Sequence, residues 1–111
     1  MKKKFFLLSP VQDKIKDPAW EWSLETDHLV VCATSQEEAR DCAFRDFEMF
    51  VREELRQLTP PWLDQNFVSV FEADELSNFI PDTNASNANN FLIGVIAVGV
   101  HDTVIEKYNS Q

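Results

Sequence analysis

Two pairs of histidine and aspartate are the residues of this sequence whose types and spacing best suit chemistry. Asp27 and His28 open one apolar run of the chain, and His101 and Asp102 follow the end of another. If these runs are neighbouring antiparallel strands, both pairs lie at the same edge of a sheet. Two imidazoles and two carboxylates there could bind a metal ion or act as a general acid and base. Polar side chains that merely end two strands are the alternative interpretation.

No other pattern in the sequence indicates catalysis. Cys32 and Cys42 have no histidine beside them, and the chain contains no Gly-x-Ser-x-Gly elbow for a nucleophilic serine. With two glycines in 111 residues, it has no phosphate-binding loop and no dinucleotide fingerprint. We therefore predict a protein without catalytic residues, cofactor or enzymatic activity, and we keep a small enzyme built on the histidine–aspartate pairs as an alternative.

The distribution of charge limits the kinds of partner. The formal net charge is −9, from 19 acidic against 10 basic residues. Every arginine lies between Arg40 and Arg56, and the lysines lie near the two ends of the chain. Phosphate contacts need clustered lysine or arginine side chains, and the sequence indicates no basic face. Direct binding of nucleic acid is therefore not expected.

Two long segments contain acids and neither lysine nor arginine. Asp17–Ala39 holds six carboxylates, and Gln57–Glu106 holds seven. If the two segments meet on one face of the fold, they form a strongly negative patch that attracts a basic protein. If they are spread over the surface, they only keep the protein soluble.

Three tryptophans in connecting segments are candidate anchors for such a partner. Trp20, Trp22 and Trp62 lie near prolines and acids, and tryptophan is common both in binding sites and in cores. Rings that plug the core beneath the loops are therefore the alternative to a binding rim. The predicted partner-binding residues are Trp20, Glu21, Trp22, Glu25, Trp62, Asp64, Glu72, Asp74, Glu75 and Asp82.

One long amphipathic helix is predicted over about residues 35–58. Ser35 as N-cap, with Glu38 three residues later, forms a capping box that fixes its start. At 100° per residue, a row of Phe, Ala and Leu side chains lies on one side, and paired acids and arginines lie on the other. The Pro60-Pro61 pair cannot continue a helix and should end it.

Other segments have the patterns of strands and loops. The predicted strands are Lys4–Ser9, Trp20–Asp27 (a half-buried strand or an extended arm), His28–Thr34, Asn66–Glu72 and a buried Phe91–Val100. Asp74 should cap a short helix. Residues 81–90 are rich in Asn and should form a flexible loop, and the tail from about residue 107 should be frayed.

These elements predict a single α+β domain over residues 1–111. The sheet should contain three to five mixed or antiparallel strands, with the long helix packed on one face. The connection from His28–Thr34 through the helix to Asn66–Glu72 is long enough for a parallel, right-handed crossover.

No segment suits a membrane or a secretory route. The ten-residue apolar run Phe91–Val100 is too short to cross a bilayer, and the apolar part of the N-terminus is too short for a signal peptide. Cys32 and Cys42 suit reduced, buried side chains better than a disulfide scaffold. We therefore expect a cytoplasmic protein without membrane contact.

Several motifs together resemble a group of small proteins of bacteria and their phages. The quoted residues are "FFLLSP", the linker with Trp20 and Trp22, and Asp27 followed by "VVCATSQEEARDCA". Chains of that group open with a Phe/Leu strand ending in Pro, carry a Trp linker, and run a Val-rich strand into an Ala-x-Ser-x-Glu-Glu-Ala-Arg helix start. The resemblance extends over about half the chain, stops near Asn78, and implies a prokaryotic or mobile-element origin. No function comes with it.

These features favour a non-enzymatic acidic protein that binds a basic protein partner. An inhibitor from a phage or mobile element, which mimics nucleic acid in the groove of a host enzyme, would be a natural form of such a protein. A structural subunit of a larger assembly is a further alternative, and a homodimer is compatible with each of these hypotheses.

Overall fold

The sheet formed by the described residues has four strands, and every neighbouring pair of strands is antiparallel. The computed structural model describes residues 2–84, 87–100 and 102–109. The sheet order is β3-β1-β2-β4. The strands are β1 (Lys4–Pro10), β2 (Leu29–Ala33), β3 (Val68–Ala73) and β4 (Gly94–Val98), and the helices are α1 (Gln36–Phe47) and α2 (Asp102–Asn109). The predicted α+β class is confirmed.

β1 and β2 form the centre of the sheet because their residues are apolar on both faces. Leu7 of β1 lies opposite Val30 of β2, and all residues of Phe5–Leu8 and Leu29–Ala33 are buried. Successive side chains of a strand point to opposite faces, so a continuous apolar run needs a covering layer on each side. The prediction that His28–Thr34 contains a central strand is confirmed.

Different elements cover the two faces of the sheet. On the first, here called the α1 face, α1 and the short 3₁₀ helices Pro18–Trp22 and Pro61–Leu63 enclose a cluster that includes Phe6, Trp20, Val31, Ala43 and Trp62. On the second, the α2 face, α2 and the 3₁₀ helices Leu76–Asn78 and Ala88–Asn90 enclose a cluster that includes Phe5, Cys32, Phe79, Ala88 and Val104. The sheet is therefore the middle of three layers.

The long helix is shorter than predicted. α1 ends at Phe47, and Glu48 has an extended backbone with φ −63° and ψ 144°. A single 3₁₀ turn, Glu53–Leu55, is the next helical piece. The prediction of one helix over residues 35–58 is therefore wrong in its second half.

Backbone pairing with an earlier segment explains where α1 ends. The Leu24 N–H donates to the Phe47 carbonyl at 2.7 Å, and the Met49 N–H donates to the Trp22 carbonyl at 2.9 Å. These two bonds form a small antiparallel bridge that replaces helical hydrogen bonds. The chain after Phe47 is therefore held extended beside Trp22–Leu24.

The start of α1 follows the predicted capping box with one change. The Glu38 N–H donates to Ser35 Oγ at 3.1 Å, as an N-cap requires. The Glu38 carboxylate accepts from the Thr34 N–H at 2.7 Å and from the Thr34 hydroxyl at 2.9 Å, not from the N-cap residue itself. The reciprocal bond thus lies one residue earlier than predicted.

Two further predictions need correction, and one is confirmed. Trp20–Asp27 is not a strand, because Pro18 and the Asp17 cap start a 3₁₀ helix that runs to Trp22. The predicted parallel direction of β2 and β3 is confirmed, and β1 lies between the two strands. β4 is a partly exposed edge strand, not a buried one, because nothing but β2 pairs with it among the described residues.

Some predictions fall on short or undescribed segments. Residues 1, 85, 86, 101, 110 and 111 lie outside the described part of the chain, and they include parts of the predicted Asn-rich loop and tail. The described part of that loop contains a 3₁₀ helix with Ala88 buried, and α2 continues to Asn109. Leu76–Asn78 is a 3₁₀ helix without a side-chain cap from Asp74. Among the described helices, none is long and apolar enough to span a membrane.

Candidate functional site

Two of the three tryptophans are part of the core. Trp62 is fully buried and Trp20 is 5% exposed, and their rings meet edge to face with centroids 5.3 Å apart. Trp62 Nε1 donates to Ser23 Oγ at 2.8 Å, which satisfies the polar end of the ring. Neither ring is available to a partner in this conformation, so both fill the core, as the alternative interpretation expected.

Trp22 lies at a groove that the end of α1 creates. Because the bridge to Trp22–Leu24 holds the chain extended, the residues after Glu48 leave the core and form one wall of the groove. The groove has a volume of about 340 Å³ and is lined by Trp22, Glu48, Met49, Phe50, Val51 and Arg56. We call it the Phe50 groove.

The Phe50 groove exposes an unusual amount of apolar surface. Phe50 is 98% exposed, Met49 is 44% exposed, and Leu24, on the strand-like segment paired with Phe47, is 71% exposed. Scattered apolar residues on a surface are ordinary, whereas a large aromatic ring with no packing beside further exposed apolar side chains indicates a binding surface.

Carboxylates surround this apolar surface. Glu48 lines the groove itself, and Glu21 and Glu54 hold the guanidinium of Arg52 with N–O distances of 2.8 and 3.8 Å. Glu53 is also exposed, next to Arg52. The positive charge of Arg52 is therefore already paired, whereas the guanidinium of Arg56 also lines the groove. On and beside the groove, the carboxylates of Glu21, Glu48, Glu53 and Glu54 outnumber these two arginines.

The predicted histidine–aspartate neighbourhood is present in part. β2 and β4 are adjacent and antiparallel, as that hypothesis required, and the Gly99 N–H donates to the His28 carbonyl at 2.7 Å. Asp27, His28 and Asp102 line one cleft of about 500 Å³ with Glu25 and apolar side chains. We call it the His28 cleft. His101 lies outside the described residues, so the second imidazole is not placed.

His28 is buried at the floor of its cleft. It is 7% exposed, and its Nδ1 lies 2.9 Å from the hydroxyl oxygen of Ser9, which is also buried. Burial lowers the pKa of His28, and the negative charges of Asp27 and Asp102 oppose that effect only partly. His28 is therefore a neutral, hydrogen-bonded side chain near pH 7.

The described residues do not form a metal site. Within 2–84, 87–100 and 102–109, no three His, Cys, Asp or Glu side chains come together closely enough to hold an ion. Asp27 Oδ1 instead accepts the His28 N–H at 2.7 Å, and the buried Ser9 hydroxyl is not exposed as a nucleophile. Sequence reasoning missed Ser9, which has no motif and gains its role only because β1 passes beside the start of β2.

The other predicted partner-binding acids lie on separate elements. Glu72 on β3 pairs with Lys4 at 2.8 Å, and the Asp64 carboxylate accepts the Asn66 N–H at 2.8 Å in the turn before β3. Glu75 accepts the Ser77 hydroxyl at 3.2 Å, and Asp74 and Asp82 are exposed. Of the predicted set, Trp22 lines the Phe50 groove, Glu21 precedes it and pairs with Arg52, and Glu25 lies in the His28 cleft.

The groove residues Met49, Phe50 and Val51 were not predicted as a site. Phe50 and Val51 continue the apolar row of the predicted helix, so the sequence assigned them to the core, whereas Met49 lies outside that row. The deciding contact, with Trp22–Leu24, is not visible in local sequence.

Comparison with protein-family models, with curated proteins and with solved structures gives no match for this chain. The resemblance to small bacterial and phage proteins therefore stays a prediction. Function has to be inferred from the site itself.

Proposed function

We propose that this protein is a non-enzymatic binding protein that holds a segment of a basic protein partner in the Phe50 groove. The observation that supports this most directly is the 98% exposure of Phe50 at a groove lined by Glu48 and Arg56, with the carboxylates of Glu21 and Glu54 close by on Arg52. Burying a phenylalanine side chain from water contributes about 1.5–3 kcal/mol. Burial of the exposed Phe50 ring against a partner would therefore contribute favourable free energy to binding.

The charge of the molecule determines which partner suits the groove. A net charge of −9 steers basic proteins toward the surface, and carboxylates at the rim favour lysine or arginine beside the apolar contact. Buried aromatic anchors surrounded by polar residues are the usual arrangement of a binding hot spot. The expected segment therefore combines an apolar anchor with flanking basic side chains.

The basic surface of a nucleic-acid-binding protein is one class of partner with this chemistry. The two base-free segments support such a role, because Glu25 and Asp27 of the first meet Asp102 of the second in the His28 cleft. An inhibitor that competes with nucleic acid for a host protein would use both the groove and this charge. We include this form in the proposal.

A peptide titration tests the proposal. The probes are a lysine-rich peptide with a central leucine pair, the same peptide with serines in place of the leucines, and the leucine peptide with glutamates in place of the lysines. Binding is followed by fluorescence, because Trp22 lines the groove. Only the lysine–leucine peptide should bind well, and its affinity should fall as salt screens the charges.

Two variants show where the peptide binds. Phe50→Ala should weaken binding about tenfold to thirtyfold, equal to about 1.4–2 kcal/mol. Leu63→Ala, at a residue that is 39% exposed and outside the groove, is the matched control and should bind as the wild type does. Equal affinity for all three peptides, unchanged affinity at high salt, or an unaffected Phe50→Ala variant would each contradict the proposal. Asp102→Asn should weaken peptide binding less than Phe50→Ala does. A larger loss of affinity in Asp102→Asn would show that the peptide occupies the His28 cleft instead.

A further inference from the structure

β4 presents an open edge at one end of the sheet. Within the described residues it pairs with β2 alone, so one row of its backbone N–H and C=O groups faces away from the sheet. The Gly99 N–H points toward β2, where it donates to His28. Because the direction of backbone groups alternates along an antiparallel strand, the N–H and C=O of Val98 point outward.

This edge lacks the charges that usually prevent strands from pairing. Thr83–Val100 contains no lysine, arginine, aspartate or glutamate, and β4 contains no proline. Leu92 is 86% exposed, Ile93 is 44% exposed, and Val98 is 47% exposed. At the opposite edge, β3 carries Glu72, which is paired with Lys4. One edge of the sheet is therefore protected by charge, and the other is not.

We propose that the open edge of β4 pairs with the same edge of a second copy of this chain. The two strands would run antiparallel across a two-fold axis and join the sheets into one of eight strands, within the usual size of open sheets. Outward backbone groups of each copy would satisfy those of the other, and Leu92, Ile93 and Val98 would lose contact with water.

Charge is the reason for choosing a second copy as the occupant. Each chain carries −9, yet β4 itself contains no charged residue, so pairing β4 with itself places no like charges of the two strands directly opposite each other. Lys3, Arg45 and Asp46 lie beside the start of β4, near Phe91, Ile93 and Gly94. These charges are of both signs, so they offer a basic partner no cluster of carboxylates, and the acidic remainder of the surface repels an acidic partner. The open edge of β4 is therefore best matched by another strand without charged residues, and β4 of a second copy is such a strand.

The net charge of the chain also determines how salt affects the dimer. Bringing two chains of −9 together costs electrostatic free energy at long range, and added salt screens that repulsion. Dimerisation should therefore strengthen with salt, whereas binding of a basic partner in the Phe50 groove should weaken. Because a short strand with few flanking side chains forms a small interface, the dimer should dissociate on dilution.

Sedimentation velocity over a range of protein concentrations, at low and high salt, tests the inference. The mass of the wild type should rise from that of one chain, 12.8 kDa, toward twice that value. Val98→Lys places a charge on the edge, opposite its own copy, and should keep the protein monomeric. Val98→Thr keeps a β-branched side chain and should dimerise, as should Leu63→Lys, which adds the same charge elsewhere.

Circular dichroism establishes whether Val98→Lys is folded. If it is not, Leu92→Lys replaces it, because Leu92 lies outside the strand and is almost fully exposed. Hydrogen exchange of the wild type gives an independent readout, since the Val98 amide should become protected as concentration rises. A wild type that stays monomeric at all concentrations, a folded Val98→Lys dimer, or a concentration-independent Val98 amide would overturn the inference. Phe50→Ala should leave dimerisation unchanged, so the proposal for the Phe50 groove and the proposal for the β4 edge can be contradicted independently.

Discussion

Trp62 combines burial with a specific polar contact. Its ring is fully buried against Trp20, and its Nε1 donates to Ser23 Oγ at 2.8 Å. Ser23 lies in the segment that pairs with the end of α1, so the ring joins the 3₁₀ helix Pro61–Leu63 to that pairing. Trp62 therefore supports the position of the Phe50 groove as well as the core.

Replacement of Trp62 should be strongly destabilising. Trp62→Ala removes the ring, leaves a cavity and leaves the contact with Trp20 unmade, and we expect a loss of about 3–5 kcal/mol in the free energy of unfolding. Leu63→Ala, at the next residue but 39% exposed, should change that free energy by less than about 0.5 kcal/mol. Urea unfolding measures both values, and similar midpoints for the two variants would contradict this role of Trp62.

His28 makes stability depend on pH in a defined direction. Burial lowers its pKa in the folded state, so the unfolded chain binds a proton more readily. Titration of His28 does not change the free energy of unfolding well above the ordinary histidine pKa of about 6.5, where His28 is neutral in the folded and the unfolded state. It falls as the pH drops below about 6.5, because protonation then favours the unfolded chain.

The variant His28→Gln tests this dependence. Glutamine cannot titrate, so the stability curves of the variant and the wild type should run parallel above about pH 6.5 and converge or cross below it. The lowered pKa of Glu38, which results from its hydrogen bonds to Thr34, causes a further loss in both proteins, beginning near pH 4.5. Parallel curves between pH 7 and pH 5 would show that His28 does not resist protonation.

At the scale of elements, the first turn of α1 is stabilised by two side chains. Ser35 accepts the Glu38 N–H, and Glu38 accepts from Thr34. Ser35→Ala leaves an unsatisfied N–H and should lower the free energy of unfolding by about 1 kcal/mol, whereas Ser35→Asp retains an acceptor and should cost little. Thermal unfolding of the two variants measures the difference, and equal losses would exclude a capping role for Ser35.

Local pattern was sufficient to predict the elements whose residues depend mainly on their own neighbours. The apolar runs of β1 and β2 and the N-cap of α1 are of this kind, because burial on two faces and capping leave clear marks in sequence.

Arg40, which lies in the apolar row of α1, donates to the carbonyls of Trp62 and Val68 at 3.2 and 2.8 Å. An arginine in an apolar row can therefore mark an anchor between elements.

The candidate site depended on contacts that sequence does not show. The end of α1, and with it the exposure of Phe50, is set by hydrogen bonds to Trp22–Leu24, more than twenty residues away. The position of β1 between β2 and β3 likewise follows from pairing across the whole sheet. The apolar residues of 48–58 do have helical spacing, but the tertiary contacts determine a different backbone conformation there.

At the scale of the whole molecule, one sheet links two separate cores. Phe6 and Phe5 are neighbours in β1, yet the first faces the α1 cluster and the second faces the α2 cluster. Trp20 and Trp62 lie in the α1 cluster, and Trp22 packs against Phe44, which belongs to the same face. Tyr108 packs on the other face, against Phe71 and Phe79. Tryptophan fluorescence therefore reports on one core only.

Because one sheet links the two clusters, we expect a destabilising substitution on the α2 face to lower the stability of the α1 face as well. Phe79→Leu, at a fully buried residue of the α2 cluster, should lower the free energy of unfolding by about 1–2 kcal/mol. Because both clusters share the strands β1 and β2, the domain should unfold in one transition. Tryptophan fluorescence and circular dichroism in urea should then shift to the same lower midpoint. A variant whose fluorescence midpoint stays at the wild-type value while its dichroism midpoint falls would show that the two cores unfold independently, and that the sheet does not couple them.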